Sequence, residues 1–268
     1  MTVDWKALKR EARSKNTSAA RLIELAAIDP KLSREIAKNQ HTPLPVLERL
    51  ARSTDVHTRK AVVYHPAITP AVLETLSSDR QWTVLRAVAG HPLTPGKALN
   101  HLAEHPQGTI RVDVVRNPQT APSIRERLAT DPNPEVRGAV APSGALPTAV
   151  VQRLLDDPEP WVRGAALSNP QTGFERRLLA LDDGDDGVRS YALWLLKDEA
   201  SANHVIAYEV LDRLVQDASA EMRESAAMYV RWGLPKSPER DVLADRLSAD
   251  EDENVRFHAE CILKGDRP

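Results

Sequence analysis

Apolar positions along this chain recur over long distances. Leu50, Leu76, Leu102, Leu128 and Leu154 form an unbroken column with a step of 26 residues. A second column, Val84, Ile110, Val136, Val162 and Val188, keeps that step, and three places after it stand the small residues Ala61, Ala87, Ala139 and Ala165. Self-similarity at a period of roughly 20 to 50 residues marks a solenoid, because a unit so short cannot bury its apolar face except against its neighbours. Each unit reads as two short helices. In residues 69–93, Thr69 is placed to cap a helix through its hydroxyl, and Pro70 stands at the first helical position, where a missing N–H is no loss. Thr42-Pro43 and Thr94-Pro95 read the same way. The leucine column belongs to this first helix and is expected in the core. An acidic residue then breaks the chain before a second, shorter helix of roughly seven or eight residues, about two turns. That helix carries the Val/Ile column, its alanines permit close approach, and Pro66, Pro92, Pro118, Pro142 or Pro170 stops it.

The rhythm changes at both ends. Beyond residue 197 the spacing lengthens, with amphipathic segments near 204–216, 221–232, 238–248 and 254–264, and the acidic run Asp250, Glu251, Asp252 and Glu253 suits a polar C-terminal cap. The first forty residues are expected to form the opposite cap, with helices near 4–14 and 17–28 and with Trp5 and Leu8 facing the first true repeat. The expected fold is an all-α solenoid forming one continuous domain over residues 1–268: cap helices over 1–40, repeats over 41–196, and longer helix pairs over 197–268.

The runs HPLTPGKALNHLAEHPQGTIRVDVVRNPQT (91–120) and LATDPNPEVRGAVAPSGALPTAVVQRLLDDPEPWVRGAALSNPQT (128–172) resemble the leucine-rich repeat variant family, whose units read NPxTPxxVLxxLAxDPxxxVRxAVA. The resemblance covers residues 40–196 and weakens in the last unit, where Thr172-Gly173 replaces Thr-Pro. It implies a right-handed superhelix of alternating α and 3₁₀ helices, similar in design to HEAT and armadillo solenoids, and a binding function. The segments after 197 resemble HEAT-type helix pairs. Some members of the family carry an N-terminal cysteine cluster for an iron–sulfur centre. This chain has a single cysteine, Cys261, so no cofactor is carried over.

An arginine column, Arg59, Arg111, Arg137, Arg163 and Arg189, runs at the repeat step or a multiple of it, with Leu85 in the vacant place, and continues as Arg223 and Arg256. Six residues before each of the later arginines stands a carboxylate. Asp131, Asp157, Asp183, Asp217 and Asp250 are therefore expected to face Arg137, Arg163, Arg189, Arg223 and Arg256 in a structural ladder of paired charges. The N-terminal half breaks this pattern: Ser53 precedes Arg59, His105 precedes Arg111, and Asp79 faces Leu85. Asp113 stands in the alanine column, and Arg116 and Arg86 stand where other units place Pro142 and Gly138. These departures outline a candidate anion-accepting groove with Arg59, Arg86, Arg111 and Arg116 as donors, Asp113 orienting one of them and Trp82 as a flat contact. A second reading stays open, in which Asp79 pairs with Arg59 or Arg111 across a repeat boundary and Asp113 satisfies Arg116.

Charge sharpens that choice without deciding it. Residues 1–130 hold 20 Lys and Arg against 12 Asp and Glu (+8), and residues 131–268 hold 16 against 26 (−10). Such asymmetry attracts an acidic partner to the N-terminal half or merely describes a solvated surface. His65 and His91, in register with Asn117 and Asn169, suggest a metal column, but each precedes proline at a helix end, where it can cap free carbonyls, and no carboxylate or cysteine stands at ligand spacing. No metal and no cofactor are expected. Trp161 reads as a plug between repeats or a binding aromatic, and Trp194 and Trp232 as core. The lone cysteine and the absence of an apolar run of membrane length lead to the expectation of a cytoplasmic protein with no membrane partner.

Three function classes remain. A non-enzymatic scaffold binding a protein partner on a concave surface needs no special residues. Nucleic-acid binding through the basic half would rest on phosphate contacts, against which stands an isoelectric point of about 6.5. The remote third is an enzyme, by analogy with HEAT-like DNA glycosylases, in which Asp113 and Trp82 would stand for a carboxylate and an aromatic in a groove; no motif matches residue by residue.

Overall fold

The structure is a computed structural model, and it describes residues 4–199 and 208–265. All regular structure among these residues is helical. A cap of α1 (Trp5–Arg13), α2 (Ala19–Ile28), a 3₁₀ turn (Pro30–Leu32) and α3 (Ser33–Ala37) precedes eight helix pairs. The pairs are α4 (Leu44–Leu50) and α5 (Val56–Val63), α6 (Pro70–Leu76) and α7 (Trp82–Ala89), α8 (Gly96–Leu102) and α9 (Gly108–Arg116), and α10 (Pro122–Leu128) and α11 (Pro134–Val140). They continue as α12 (Thr148–Leu155) and α13 (Pro160–Leu167), α14 (Phe174–Leu179) and α15 (Asp186–Glu199), α16 (Tyr208–Leu214) and α17 (Ala220–Gly233), and α18 (Pro238–Leu247) and α19 (Glu253–Leu263). This is an α-solenoid architecture. By its internal contacts the chain divides into two compact units, Met1–Val136 and Arg137–Pro268.

The core is what the columns require. Leu50, Leu76, Leu102, Leu128 and Leu154 are buried on the first helices, and Val84, Ile110, Val136, Val162 and Val188 on the second. Each helix therefore contributes one apolar stripe to a core shared with the next repeat. Second helices stack directly on one another, α5 on α7 on α9 in the N-terminal unit and α13 on α15 on α17 on α19 in the C-terminal unit, whereas first helices meet one another only sparsely. The close layer is the one whose alanines keep side chains short.

Three sequence-based expectations need correction. The second helix is not the shorter one: α5 and α7 have eight residues against seven in α4 and α6. Both members of a repeat are α-helical, and 3₁₀ geometry among the described residues is confined to Pro30–Leu32 and to Ala180–Asp182, so the alternation of α and 3₁₀ helices implied by the resemblance does not hold. Thr69 makes no side-chain cap. The threonines one register place earlier turn backwards instead: Thr42, Thr94, Thr120 and Thr172 donate to the carbonyls of Ile36, Val88, Val114 and Ala166, six residues before each, and so close the preceding second helix.

Within the cap Trp5 is half-buried, with the Lys31 ammonium 5.0 Å from its ring centroid, so its partner lies in the cap itself. The predicted segment 204–216 falls partly outside the described residues; the part described is α16. The other late segments are close to α17, α18 and α19.

Candidate binding surface

The ladder is present with a different register from the expected one. Each arginine takes the carboxylate of the following unit. Arg59 binds Asp79 through two bonds of 2.5 and 2.9 Å, Arg111 binds Asp131 at 2.7 and 2.6 Å, Arg137 binds Asp157 at 2.7 and 2.9 Å, and Arg163 binds Asp183 at 2.7 and 2.6 Å. Arg189 reaches Asp217, and Arg223 reaches Asp250 and Glu251. The residue six places before the arginine supplies only its backbone carbonyl, from Ser53, His105, Asp157, Asp183, Asp217 or Asp250, to the arginine Nη1. Side-chain identity at that place is therefore irrelevant to the arginine of the same unit, which is why Ser53 and His105 are tolerated there.

Every residue of the aspartate column also accepts the backbone N–H two residues on. Ser53, Asp79, His105, Asp131, Asp157, Asp183, Asp217 and Asp250 all make this bond. Aspartate alone can add the bidentate grip on the arginine of the preceding unit. Where that arginine is missing, so is the aspartate: Leu85 is followed twenty residues on by His105, and Ser33 by Ser53. Arg59 and Arg111 are thus not short of partners, and their side chains are only 12% and 11% exposed. The anion groove proposed on sequence grounds loses two of its four donors. Of the others, Arg86 is bound to Asp113 at 2.5 Å on the surface, and Arg116 is exposed. Asp113 therefore satisfies Arg86, not Arg116, while Trp82 is half-exposed at the first turn of α7.

The ladder carboxylates are held in their charged form. Burial pushes Asp79 and Asp157 upward, but the bonds from Arg59 and Arg137 together with backbone N–H groups outweigh it and leave both below the ordinary aspartate value. For Asp183 and Asp250 the bonds from Arg163 and Arg223 are the leading cause of the same downward shift.

The His/Asn column is a set of caps, with the carbonyls on the neighbouring repeat. Asn117 donates to Ala89 and His91 of the unit before, Asn169 to Ala141 and Ser143, and Asn39 to Ala12 and Ser14. His65 Nε2 lies 2.8 Å from the carbonyl of Asn39, and its Nδ1 accepts the Ala67 N–H. No group of three or more His, Cys, Asp or Glu among the described residues could hold a metal ion.

The two places that follow the ladder arginine on the second helices differ between the units, some buried and some exposed. The place following the ladder arginine and the one after it read Lys60-Ala61, Arg86-Ala87 and Val112-Asp113 in the N-terminal unit. In the C-terminal unit they read Gly138-Ala139, Gly164-Ala165, Ser190-Tyr191, Glu224-Ser225 and Phe257-His258. Aromatic side chains lie exposed on the second helices of the C-terminal unit, Trp161 at 47%, Trp194 at 48%, Trp232 at 39% and Phe257 at 57%, while the N-terminal unit exposes Tyr64 and Trp82. Trp194 and Trp232 are therefore not core, contrary to the sequence reading. Trp194 stacks on Tyr191 with centroids 5.6 Å apart and 8° between planes. Arg231 lies over both Trp232 and Phe257, and the His258 ring meets each edge-on. Burial, then the Arg231 charge, depress the His258 pKa. Sequence reasoning missed Tyr191 and Phe257 as part of a surface. The signal lay in aligning the two places after each arginine.

The repeat geometry has a counterpart among solved structures. A leucine-rich repeat variant, described as having a novel repetitive protein structural motif, aligns with a TM-score of 0.55 and 25% identity over 78% of this chain and 85% of its own. The chain is a helical repeat protein, similar in its unit to that variant. A designed armadillo repeat protein in complex with the peptide (KR)4 aligns over 98% of this chain and 99% of its own at 15% identity, and computationally designed armadillo repeat proteins for modular peptide recognition over 97% and 100% at 15%. Both have TM-scores of 0.32. No protein-family model and no curated protein matches the chain. No helix among the described residues is long and apolar enough to cross a membrane.

Proposed function

We propose that this helical repeat protein is a non-enzymatic scaffold that binds a protein partner on the second-helix face of its C-terminal unit. The observation that carries the reading is the row of exposed aromatic side chains there, Trp161, Trp194, Trp232 and Phe257. Large aromatics are costly to leave in water and are the side chains that dominate the energetics of protein interfaces. They also stand on closely stacked helices, so a partner would meet a surface with little conformational freedom left to lose. The nucleic-acid alternative keeps the positive charge of residues 1–130 but not its groove, since Arg59 and Arg111 are committed to Asp79 and Asp131.

The test is affinity capture with wild type beside a Trp194→Ser/Phe257→Ser variant, two exposed positions whose replacement leaves the core intact. A partner retained by wild type and released by the variant is expected. Fluorescence anisotropy with labelled DNA and RNA at near-physiological salt is expected to show no binding. Nucleic-acid binding that falls with Arg86→Ala and Arg116→Ala would replace this reading with the second one.

A further inference from the structure

On α11 the backbone of Gly138 is covered by the indole of Trp161 from the next second helix, so closely that any Cβ at 138 would collide with the ring. One repeat further on, Gly164 offers the same bare backbone. Gly187 now stands where Trp161 stood, 26 residues on, and nothing lies within 4 Å of where a Cβ at Gly164 would be. The missing indole leaves an open cavity of about 560 Å³, floored by Gly164 and Ala165 and walled by Trp161 and Tyr191. That volume lies within the range of small-ligand sites, roughly 300 to 1,000 Å³. The Tyr191 wall is fixed at both ends: its hydroxyl is 2.6 Å from Ser168 Oγ, and its ring lies flat on Trp194. Asp185 stands at the rim, with one carboxylate oxygen accepting the Val188 N–H. Its acidic neighbours are engaged elsewhere, Asp182 with Arg213, Asp183 with Arg163 and Asp186 with Ser219. Asp185 is thus the carboxylate at the rim, its charge felt by Arg163 but gripped by no bidentate arginine bond like that of Asp183.

We propose that this slot receives a tryptophan side chain of a partner polypeptide, with a lysine or arginine beside it reaching Asp185. The packing of Trp161 on Gly138 is the template for the occupant: the chain fills one glycine-floored place with its own indole and leaves the next to the partner. A basic flank matches the charge of residues 131–268, which hold 16 Lys and Arg against 26 Asp and Glu. The slot deepens the scaffold reading and rests on it.

A displayed library of random peptides panned on wild type, followed by calorimetry of the enriched peptides, tests it. Enriched sequences are expected to share a tryptophan next to a basic residue and to lose at least about tenfold in affinity when that tryptophan becomes alanine. Gly164→Leu fills the floor where there is open space, so the variant is expected to melt no lower than wild type and to lose the peptides by about the same factor. Gly187→Trp, which supplies the lid from the chain itself, is expected to lose the peptides likewise, with Asp185 Oδ1, 3.2 Å from where its Cβ would stand, giving way. Peptides that keep their affinity for Gly164→Leu but lose it with Trp232→Ser/Phe257→Ser would overturn the slot and leave the scaffold standing. Self-association abolished by Gly164→Leu would assign the slot to a second copy and overturn the partner. No enriched peptide at all would overturn the slot, and the affinity capture above then decides the scaffold reading separately.

Discussion

At Asp79 two bonds of different origin meet on one carboxylate. It accepts the Gln81 N–H, as every residue in its column does, and it grips Arg59 of the repeat before. His105 shows how the duties separate: its Nδ1 accepts the Gln107 N–H, and the arginine it would have gripped is Leu85, which is buried. Asp79→Ala, which strands a guanidinium only 12% exposed, is expected to cost about 3 kcal/mol. Arg59→Leu/Asp79→His copies the combination that the next repeat uses, and is expected to recover most of that loss. Urea denaturation of the three variants against wild type measures both; a double variant as unstable as Asp79→Ala would show that the pairing is not what the column is for. The matched loss of Leu85 with His105 was readable in the sequence at a spacing of twenty, but the spacing of six concealed it. Both fall at every repeat, and only the fold says which one is a contact.

At the level of elements, each second helix ends on groups borrowed from elsewhere. A threonine hydroxyl closes it from its own turn, and an asparagine or histidine from the next repeat ties down the carbonyls at its end. Asn169 is fully buried, donates to Ala141 and Ser143 and accepts from Gln171. Asn169→Ala is expected to cost about 1 to 3 kcal/mol, because the Ala141 carbonyl loses its partner in the core and the Ser143 carbonyl and Gln171 N–H lose theirs where they are partly buried. Asn169→His, the residue used at 65, is expected to cost less. Thr172→Val tests the other closure, with an expected loss of about 1 kcal/mol seen as faster amide exchange at the end of α13. The sequence located these helix ends through proline and the small polar residues before it. It could not show that the capped carbonyls of Asn117 and Asn169 belong to the repeat before, since a cap inside one turn and a cap between stacked turns use the same residue.

For the molecule as a whole, the ladder makes stability depend on acid in one direction. Asp79, Asp157, Asp183 and Asp250 lie below their ordinary pKa. Asp55, which burial alone would raise, is brought to about 2 by bonds from Thr58, Arg34 and the His57 N–H. A depressed aspartate means that the folded chain holds fewer protons than the unfolded one below about pH 4, so the stabilisation is whole above that value and drains away as pH falls towards the folded pKa values. Melting temperature is expected to drop steeply between about pH 4 and pH 2. Arg59→Leu/Asp79→His removes one depressed carboxylate and is expected to shallow this limb. His258 acts near neutrality: its depressed pKa means that protonation disfavours the fold as pH falls through the unfolded histidine value, about 6.5. Burial lowers His91 and His105 in the same direction, so His258→Gln is expected to shallow this part of the profile and leave their share of it.

The sequence by itself determined the period, the helix pairs, the buried columns and the solenoid class. These follow from local chain chemistry and from the need of each apolar stripe for a neighbour, and both are written at fixed spacing. Tertiary structure decided which partner each charge takes and which aromatics remain in water. Trp194 and Trp232 read as core on apolar helix faces, yet both stand half-exposed, and Trp161, equally exposed, lies over the bare backbone of Gly138. Exposure depends on what the adjacent repeat brings against a side chain. A missing indole at Gly187 is visible as a space only once Gly164 and Tyr191 have been set beside it.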